Sequence, residues 1–355
     1  MKSFRDDWRR QKSRAFDLAV NSSAGRTLAL DLWGRTVEVY ANANFSIYSG
    51  QTCNARCPFC VEELRPANRG RSLDAQKTIE GDDALYFGAL EETLDRLRPL
   101  QPTISITGGE PSIDPRLPRI LEVSARYSAP RKSITTNGSG LLREIAGRPV
   151  LSYVLDAGFE HLNVSRAHED WRENARLMAL PDGLSDAALE SVVRHAHEAG
   201  TRTRLSCVLL EGGVDSLSRV MDYLEFADRV GVDHVIFRQL MLTDPARVAR
   251  NYVVRFSDSH RVRLEPILEE VSAHPDFEFV QQVMGYYYYV EVWRYRGRTV
   301  VFEEADLGRL EETKREQPGI VHELVFHPNA RLASTWQPWD GVLGPKGVHV
   351  EAAPA

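Results

Sequence analysis

Between residues 43 and 245, the hydrophobic pattern switches repeatedly between two periods, and this alternation predicts strand–helix units. Short runs with a period of two are typical of strands, whereas apolar spacings of three and four residues are typical of helices. Gly158, Gly200 and Gly231 follow helical segments, and glycine is a usual C-terminal helix signal. The predicted strands are 44–48, 103–107, 132–136, 160–164, 202–210 and 234–237, and the predicted helices are 84–97, 118–127, 153–157, 187–199 and 217–230.

Six strands with helical segments between them predict an α/β fold, because each strand–helix–strand crossover brings the chain back in the same direction. A partial (β/α)6 TIM-like barrel fits this order of elements. In barrels of this kind, the chemistry collects at the carboxyl ends of the strands. Functional residues are therefore expected in the loops that follow the strands.

The regular alternation ends on both sides of this core, which divides the chain into three predicted parts. Residues 1–42 form an N-terminal part, residues 43–245 the barrel, and residues 246–355 a small C-terminal α+β extension that covers the active site. The predicted flanking elements are a helix at 3–20, a hairpin of 28–32 with 36–40, a helix at 258–273, a strand at 277–284, and hairpins that turn near Gly297 and Asn329.

Composition narrows the class of protein without changing this picture. The chain has 355 residues, of which 43% are hydrophobic and 26% charged, values that are ordinary for a globular protein. Its net charge of −6 comes from interspersed acids and bases, which predicts neither a nucleic-acid partner nor a membrane partner. No stretch resembles a signal peptide or a membrane span. Four cysteines, three of them in one loop, argue against a disulfide framework, and we expect a cytoplasmic protein.

The candidate chemistry lies in the loop after the first barrel strand, where Cys53, Cys57 and Cys60 stand at the spacing C-x3-C-x2-C. Thiolates bind soft metals and iron–sulfur clusters, and three ligands in one short loop can wrap a compact cluster. A cubane has four irons, so three thiolates leave one iron open, as in metal sites that act on a substrate. A structural zinc site is the alternative, but it needs a fourth ligand, and no further His or Cys lies nearby in the sequence.

Together with Phe59 and the Gly108-Gly109-Glu110-Pro111 turn after the second strand, the cysteine loop resembles the radical S-adenosylmethionine (SAM) superfamily. The resemblance implies that the three cysteines hold one [4Fe–4S] cluster whose free iron chelates SAM. It further implies that an electron donor such as flavodoxin or ferredoxin reduces the cluster. SAM is then cleaved to a 5′-deoxyadenosyl radical, which abstracts a hydrogen atom from the substrate.

The same resemblance implies SAM contacts in the loops after later strands. Glycines allow close backbone approach in the Gly-Gly-Glu-Pro turn, and its glutamate can accept hydrogen bonds from an ammonium group. Thr136 and Asn137 after the third strand, and Ser165 after the fourth, lie in segments similar to those of the molybdenum-cofactor enzyme MoaA and its relatives. Arg166 and Ala167 replace the Leu-Asp of those relatives, and Asn-Gly is equally an ordinary turn signal. The candidate cofactor-binding residues are Phe59, Gly108, Gly109, Glu110, Pro111, Thr136, Asn137, Ser165, Val208 and Gln239.

Two arginines are candidates for catalytic contact with the substrate. Strand alternation places Arg204, Ser206 and Val208 on one face, which points into the cavity in the relatives. Arg204 could therefore bind a carboxylate of the substrate or of SAM, with a solvent-facing arginine as the alternative. Arg238 ends the sixth strand, where the relatives hold adenine. The register turns Cys207 toward the helices, which favours a buried inert thiol over a hydrogen-atom donor.

These residues predict a single-cluster radical SAM enzyme that acts on a small molecule, such as a sugar, a nucleoside or an amino-acid-like compound. No cysteine follows Cys207, so an auxiliary cluster is not expected, and redox-neutral lyase, isomerase or epimerase chemistry is favoured. One alternative is the modification of a ribosomal peptide, although the region before the first barrel strand is short for a leader-binding domain. The other alternative is a zinc-stabilised binding module without catalysis.

Overall fold

The computed structural model describes residues 26–50, 52–64, 79–243, 251–285 and 287–345, and the helix predicted at 3–20 lies outside them. Within these ranges the chain alternates between strands and helices, as its hydrophobic pattern predicts. The strands are β1 Thr27–Leu32, β2 Arg35–Tyr40, β3 Asn44–Tyr48, β4 Thr103–Thr107, β5 Lys132–Thr136, β6 Glu144–Ile145, β7 Arg148–Pro149, β8 His161–Ser165, β9 Arg202–Leu209, β10 His234–Gln239, β11 Phe277–Met284, β12 Tyr288–Tyr295, β13 Arg298–Ala305, β14 Ile320–Val321, β15 Leu324–Phe326, β16 Leu332–Ala333 and β17 Val342–Gly344.

The helices begin at residues that can accept hydrogen bonds from the first free backbone N–H groups. Asp82, Asp170, Ser185 and Ser216 each do so with a side-chain oxygen. The helices are α1 Asp83–Leu97, α2 Leu117–Ala125, α3 Val150–Asp156, α4 Trp171–Leu177, α5 Asp186–Glu198, α6 Leu217–Arg229, α7 Tyr252–His260, α8 Leu264–Ala273 and α9 Leu307–Glu316.

One large sheet organises the described residues, in the order β11-β12-β13-β10-β9-β8-β5-β4-β3-β15-β16-β17. Every neighbouring pair from β13 across to β15 is parallel. The six strands β3, β4, β5, β8, β9 and β10 are joined through helices, which confirms the predicted partial (β/α)6 barrel. The carboxyl ends of these strands therefore meet on one side of the molecule, and the cysteine loop follows β3 there.

The C-terminal residues contribute strands to both edges of this barrel sheet. β13 lies parallel beside β10, and β15 lies parallel beside β3. The predicted hairpins are confirmed, because β1 pairs with β2, β12 with β13, and β15 with β16, each in antiparallel register. The C-terminal strands thus continue the core sheet on both sides.

The single helix predicted at 258–273 is wrong, because the chain breaks into α7 and α8 there. The Arg261 guanidinium donates hydrogen bonds to the carbonyls of Leu240 and Met241, at 3.0 and 2.8 Å. The backbone N–H of Leu264 donates to Oε1 of Gln239 at 2.8 Å. These hydrogen bonds hold the segment between α7 and α8 against the end of β10. They replace the backbone hydrogen bonds that a continuous helix would make.

The barrel strands present two different faces. Their outward side chains are apolar and fully buried beneath the helices, as for Ile106, Ile134 and Leu205. Their inward side chains are short and polar, as for Ser105 and Ser133. Because short polar residues do not fill a barrel interior as branched aliphatic residues do, space remains inside. None of the helices that the structure describes has the length and apolar character needed to span a bilayer.

Candidate active site

A cavity of about 530 Å³ lies within the barrel, and its walls are formed by the inward faces of the strands. Its size suits a small-molecule site. Several strands contribute polar side chains to these walls, so a ligand inside can form hydrogen bonds with several strands at once. The hydroxyl and amide side chains that line it include Ser46, Ser105, Ser133, Thr135, Asn163 and Ser206.

The cysteine loop closes one end of this cavity. Cys57, Phe59 and Cys60 line the cavity, and Cys53 lies exposed beside them. Burial, followed by the neighbouring Cys60 and Cys53 thiols, raises the pKa of the Cys57 thiol, so the three sulfurs interact electrostatically. Among the described residues, no three His, Cys, Asp or Glu side chains lie close enough to hold a single metal ion. The three sulfurs are thus spread more widely than the ligands of one ion.

Hydrogen bonds fix the cysteine loop to the loops that follow β4 and β5. The backbone N–H of Glu110 donates to the carbonyl of Thr52 at 2.9 Å. Asn54 accepts from Nδ2 of Asn137 at 2.9 Å and donates to Oγ of Ser139, also at 2.9 Å. The three loops therefore hold one another in place at the carboxyl ends of adjacent strands.

The two glycines of the Gly-Gly-Glu-Pro turn are required by close packing. Gly108 and Gly109 have φ values of 86° and 55°, in the left-handed region that favours glycine. A Cβ on Gly108 would lie 2.3 Å from the ring of Tyr48. A Cβ on Gly109 would lie 2.6 Å from the carbonyl oxygens of Gly50 and Thr52. The turn thus packs directly against the segment that leads into the cysteine loop.

The Glu110 carboxylate is buried and bonded to its own chain. It accepts hydrogen bonds from the backbone N–H and Oγ of Ser112, at 2.9 and 2.5 Å, from Oγ1 of Thr136, and from the N–H of Asn137 at 2.6 Å. Burial raises the pKa of Glu110, and these donors act in the opposite direction. The structure places Glu110 and Thr136 behind the turn, where they fix its shape, and their contact with SAM stays a prediction. Pro111 is buried there too, at the start of a single 3-10 turn.

Several predicted residues do line the cavity. Ser165, Val208 and Gln239 lie on its wall, as do Arg204 and Arg238. Thr136 and Asn137 are absent from that wall, and the neighbouring Thr135 lies on it, because adjacent residues of a strand point to opposite sides. The roles assigned to these side chains from the sequence stay predictions.

The predicted arginines differ in their surroundings. The Nε atoms of Arg204 and Arg238 are both buried without a hydrogen-bond partner, but Nε of Arg238 forms an ion pair with Oε1 of Glu303 at 3.6 Å. Burial, followed by the positive charges of Arg238 and Arg131, lowers the pKa of Arg204 to about 10, and Glu303 acts in the opposite direction. Arg204 therefore lies in a positively charged part of the cavity.

Sequence reasoning missed three basic residues near Arg204. Arg131, just before β5, and His161, the first residue of β8, line the cavity. His234 starts β10, and burial followed by the charge of Arg204 lowers its pKa to about 3. The same causes lower the pKa of His161 to about 4. A signal was present in the sequence, because polar residues at every second position of β4, β5 and β8 indicate a polar inner face.

Cys207 lies on the opposite face of β9 from Arg204. Its side chain is fully buried, with Sγ 3.6 Å from the carbonyl oxygen of Ala167, and burial raises its pKa well above the ordinary value. It is not among the residues that line the cavity. This placement agrees with a packed thiol in the core.

Comparison of the sequence with other proteins finds related enzymes. No family model matches the chain. It is similar to a probable GTP 3′,8-cyclase of Methanococcus maripaludis, with 23% identity over 256 residues that make up 72% of this chain and 73% of that protein. It is also similar to the GTP 3′,8-cyclase of Stenotrophomonas maltophilia, with 30% identity over 227 residues, 63% of this chain and 60% of that protein.

Solved structures with partial similarity include Streptococcus suis SuiB bound to S-adenosylmethionine, with a TM-score of 0.41, 16% identity, and coverage of 57% of this chain and 40% of that chain. The Escherichia coli coproporphyrinogen III oxidase HemN, described as a radical SAM enzyme, gives a TM-score of 0.41 and 18% identity. That similarity covers 66% of this chain and 52% of the oxidase. The chain thus spans about half the length of these two proteins. TM-scores of this size are too low to carry an argument about fold or activity.

Proposed function

Because the chain is an enzyme of the radical SAM superfamily, whose cofactors are a [4Fe–4S] cluster and SAM, we propose that Cys53, Cys57 and Cys60 hold one such cluster at the mouth of the barrel cavity. The cysteine motif and the relation in sequence to the GTP 3′,8-cyclases support this assignment. When bound, the cluster and SAM supply a 5′-deoxyadenosyl radical that abstracts a hydrogen atom from the substrate.

The residues present fit these groups. Thiolates suit iron, and three of them leave one iron of a cubane for SAM. The observation that carries the proposal is that Cys57 and Cys60 line the same cavity as Arg204 and Ser206. A cofactor held at the cysteine loop and a substrate inside the barrel would therefore share one cavity.

The residues of the site take different roles in this proposal. Ser165 and Val208 line the cavity and contact SAM, while Arg204 and Arg238 bind the substrate. Glu110 acts as a positioning residue. Its hydrogen bonds hold the Gly-Gly-Glu-Pro turn in the conformation that offers backbone groups to the SAM amino group.

We place a small polar substrate in the cavity. Its hydroxyl side chains can hold several polar groups in fixed positions. Cys207 is the one cysteine of this sequence outside the loop, so the chain offers no thiolate set for an auxiliary cluster that accepts an electron. A redox-neutral lyase, isomerase or epimerase reaction is therefore favoured, with a flavodoxin or ferredoxin as the electron donor.

Anaerobic reconstitution of the full chain tests this proposal. The wild-type protein should bind iron and sulfide and, with dithionite, should convert SAM to 5′-deoxyadenosine measured by mass spectrometry. Cys57→Ala should lose the cluster and this activity. Cys207→Ala is the matched control, because it removes a cysteine that lies away from the cavity, and it should retain both.

Deuterated candidate substrates then identify the reaction. Label transferred to 5′-deoxyadenosine marks the substrate whose hydrogen is abstracted. GTP is included because the relatives are named for a reaction of GTP. A colourless protein that binds zinc and leaves SAM intact would contradict the proposal.

A further inference from the structure

Arginines outnumber carboxylates at the barrel cavity. Arg131, Arg204 and Arg238 line it, and no Asp or Glu is among the described residues that do so. A buried charge is costly unless a partner neutralises it. A protein that leaves several cations along one cavity is therefore suited to an anionic ligand there.

Arg166 is a fourth arginine at the same cavity, and its contacts are those of a residue with a structural role. Arg166 is 2% exposed, and its guanidinium lies 2.6 Å from the Asp186 carboxylate. It also donates to three backbone carbonyls at 2.9 to 3.0 Å. Arg204, by contrast, has a buried Nε without a hydrogen-bond partner. Arg166 thus has hydrogen-bond partners within the protein, whereas Nε of Arg204 remains available to a ligand.

The other groups around Arg204 add to the positive character of this region. Arg131 and Arg238 are close enough to lower the pKa of its guanidinium, and Glu303, 3.6 Å from Arg238, is the acid that opposes them. Nδ1 of His161 is also buried without a partner. Glu303 and, at His161, Glu160 thus oppose the positive charge of three guanidinium groups and an imidazole that can donate a hydrogen bond.

Arg131, His161 and Arg204 lie toward the end of the barrel opposite the cysteine loop, whereas Arg238 is level with Val208 near the carboxyl end of β10. Arg131 precedes β5, and His161 is the first residue of β8. Arg204 lies five residues before Leu209, the last residue of β9, which is about 16 Å along a strand. The cysteine loop follows the carboxyl end of β3. We call Arg131, His161 and Arg204 the floor of the cavity.

We propose that the substrate carries a carboxylate or phosphate group that binds Arg204 together with Arg131 and Arg238. Guanidinium groups match both anions in geometry and bind them with two parallel hydrogen bonds. The hydroxyl side chains of Ser105 and Ser133 lie between the floor and the cysteine loop on their strands. The anionic end of the substrate therefore rests on the floor, and its uncharged polar part faces the cofactors. This inference rests on the proposed function for the identity of the ligand as substrate.

Isothermal titration of the reconstituted full chain with inorganic phosphate and, separately, with tartrate tests the inference at constant ionic strength. At least one of them should bind the wild-type protein, and Arg204→Gln and Arg131→Gln should each bind it about tenfold or more weakly. Arg204→Lys should recover part of the affinity, since it keeps the charge. Arg194→Gln, on the exposed face of α5, is the matched control and should bind like the wild type.

The outcomes separate the possible ligands. Binding of phosphate alone indicates a phosphate ester as the substrate, and binding of tartrate alone indicates a carboxylate. Binding of neither, or equal binding by Arg204→Gln of normal thermal stability, overturns the inference. So does a result in which Arg204→Gln weakens SAM binding but not anion binding, because the anion would then be the SAM carboxylate. If the protein forms 5′-deoxyadenosine but binds neither anion, this inference alone is refuted. If the protein binds an anion but forms no 5′-deoxyadenosine, the proposed function alone is refuted.

Discussion

The two ends of the cavity differ in whether their buried polar groups have hydrogen-bond partners. At the rim, which we define as residues 52–60, 108–111 and 137–139, the loops are cross-linked by hydrogen bonds, and the buried Glu110 carboxylate accepts from several donors. At the floor, the buried Nε of Arg204 and Nδ1 of His161 have no partner. No buried side-chain polar atom of the rim therefore lacks a partner, whereas the floor has two such atoms.

This difference separates two tasks of an active site. A loop that holds a cofactor must keep its ligands in fixed positions, and internal hydrogen bonds serve that purpose. A surface that binds a substrate must leave donors unsatisfied until the ligand arrives. Substitutions at the rim should therefore weaken the fold, whereas substitutions at the floor should weaken binding and leave the fold intact.

The largest expected effect is on stability at the rim. Glu110→Ala removes the acceptor of hydrogen bonds from Ser112, Thr136 and Asn137 and leaves those buried donors without a partner. We expect a loss of about 3 kcal/mol in the free energy of unfolding, measured by urea denaturation. Glu122→Ala, an exposed glutamate on α2, should change stability little. Equal effects of the two substitutions would remove the distinction between rim and surface.

A second prediction concerns the pH dependence of stability that arises from His161 at the floor. The pKa of His161 is lowered from 6.5 to about 4 by burial, then by Arg204, Arg131 and Arg202, with Glu160 opposing. The unfolded chain therefore takes up this proton first, so stability falls as pH drops from 6.5 toward 4. His161→Gln should flatten this fall by about 1 to 2 kcal/mol, after allowance for partial exposure.

Urea denaturation at several pH values between 4 and 7 measures this effect. His195→Gln, which changes an exposed histidine on α5, serves as the control and should leave the wild-type pH profile unchanged. If His161→Gln loses stability with acid as steeply as the wild type, the floor does not repel a further positive charge as we describe.

The third prediction is a substitution that raises the free energy of unfolding or leaves it unchanged. Arg204→Gln removes a charge that burial and the neighbouring Arg238 and Arg131 disfavour. In chloride buffer, it should raise the free energy of unfolding by about 1 kcal/mol or leave it unchanged. Addition of inorganic phosphate or tartrate should stabilise the wild type and not the variant. A clear loss of stability in chloride would show that Arg204 supports the fold.

The smallest expected effect tests the links between the rim loops. Asn54→Ala removes hydrogen bonds to Asn137 and Ser139. We expect a loss of about 1 kcal/mol in stability and faster loss of the reconstituted cluster in air, followed by its visible absorbance. A cluster as durable as that of the wild type would show that these bonds do not position the cysteine loop.

Several barrel strands could be predicted from the sequence because β4, β8 and β9 carry alternation, and because Gly158, Gly200 and Gly231 mark the ends of three helices. The predicted 103–107 and 132–136 agree with β4 and β5. Helix α4 was missed because Asn174 is its buried residue, and such a helix has no apolar stripe to detect. Asn174 is buried to accept a hydrogen bond from the N–H of Ala167, a contact that periodicity does not encode.

The candidate site was predictable only in part, for a related reason. The cysteine motif is local, and it can be recognised within one loop. The floor draws Arg131 from the residue before β5, His161 from β8 and Arg204 from β9, and the parallel register of these strands brings them together. Sequence alternation could place each of these side chains on the inner face, but the absence of a neutralising partner is visible only in the assembled cavity.

Electron paramagnetic resonance of the reconstituted, dithionite-reduced chain tests the central claim most directly, because it reports on the iron that the three thiolates leave open. We predict the signal of a reduced [4Fe–4S] cluster, and a change in that signal when SAM is added. A signal that SAM leaves unchanged, or a protein that forms no such cluster, would contradict the account.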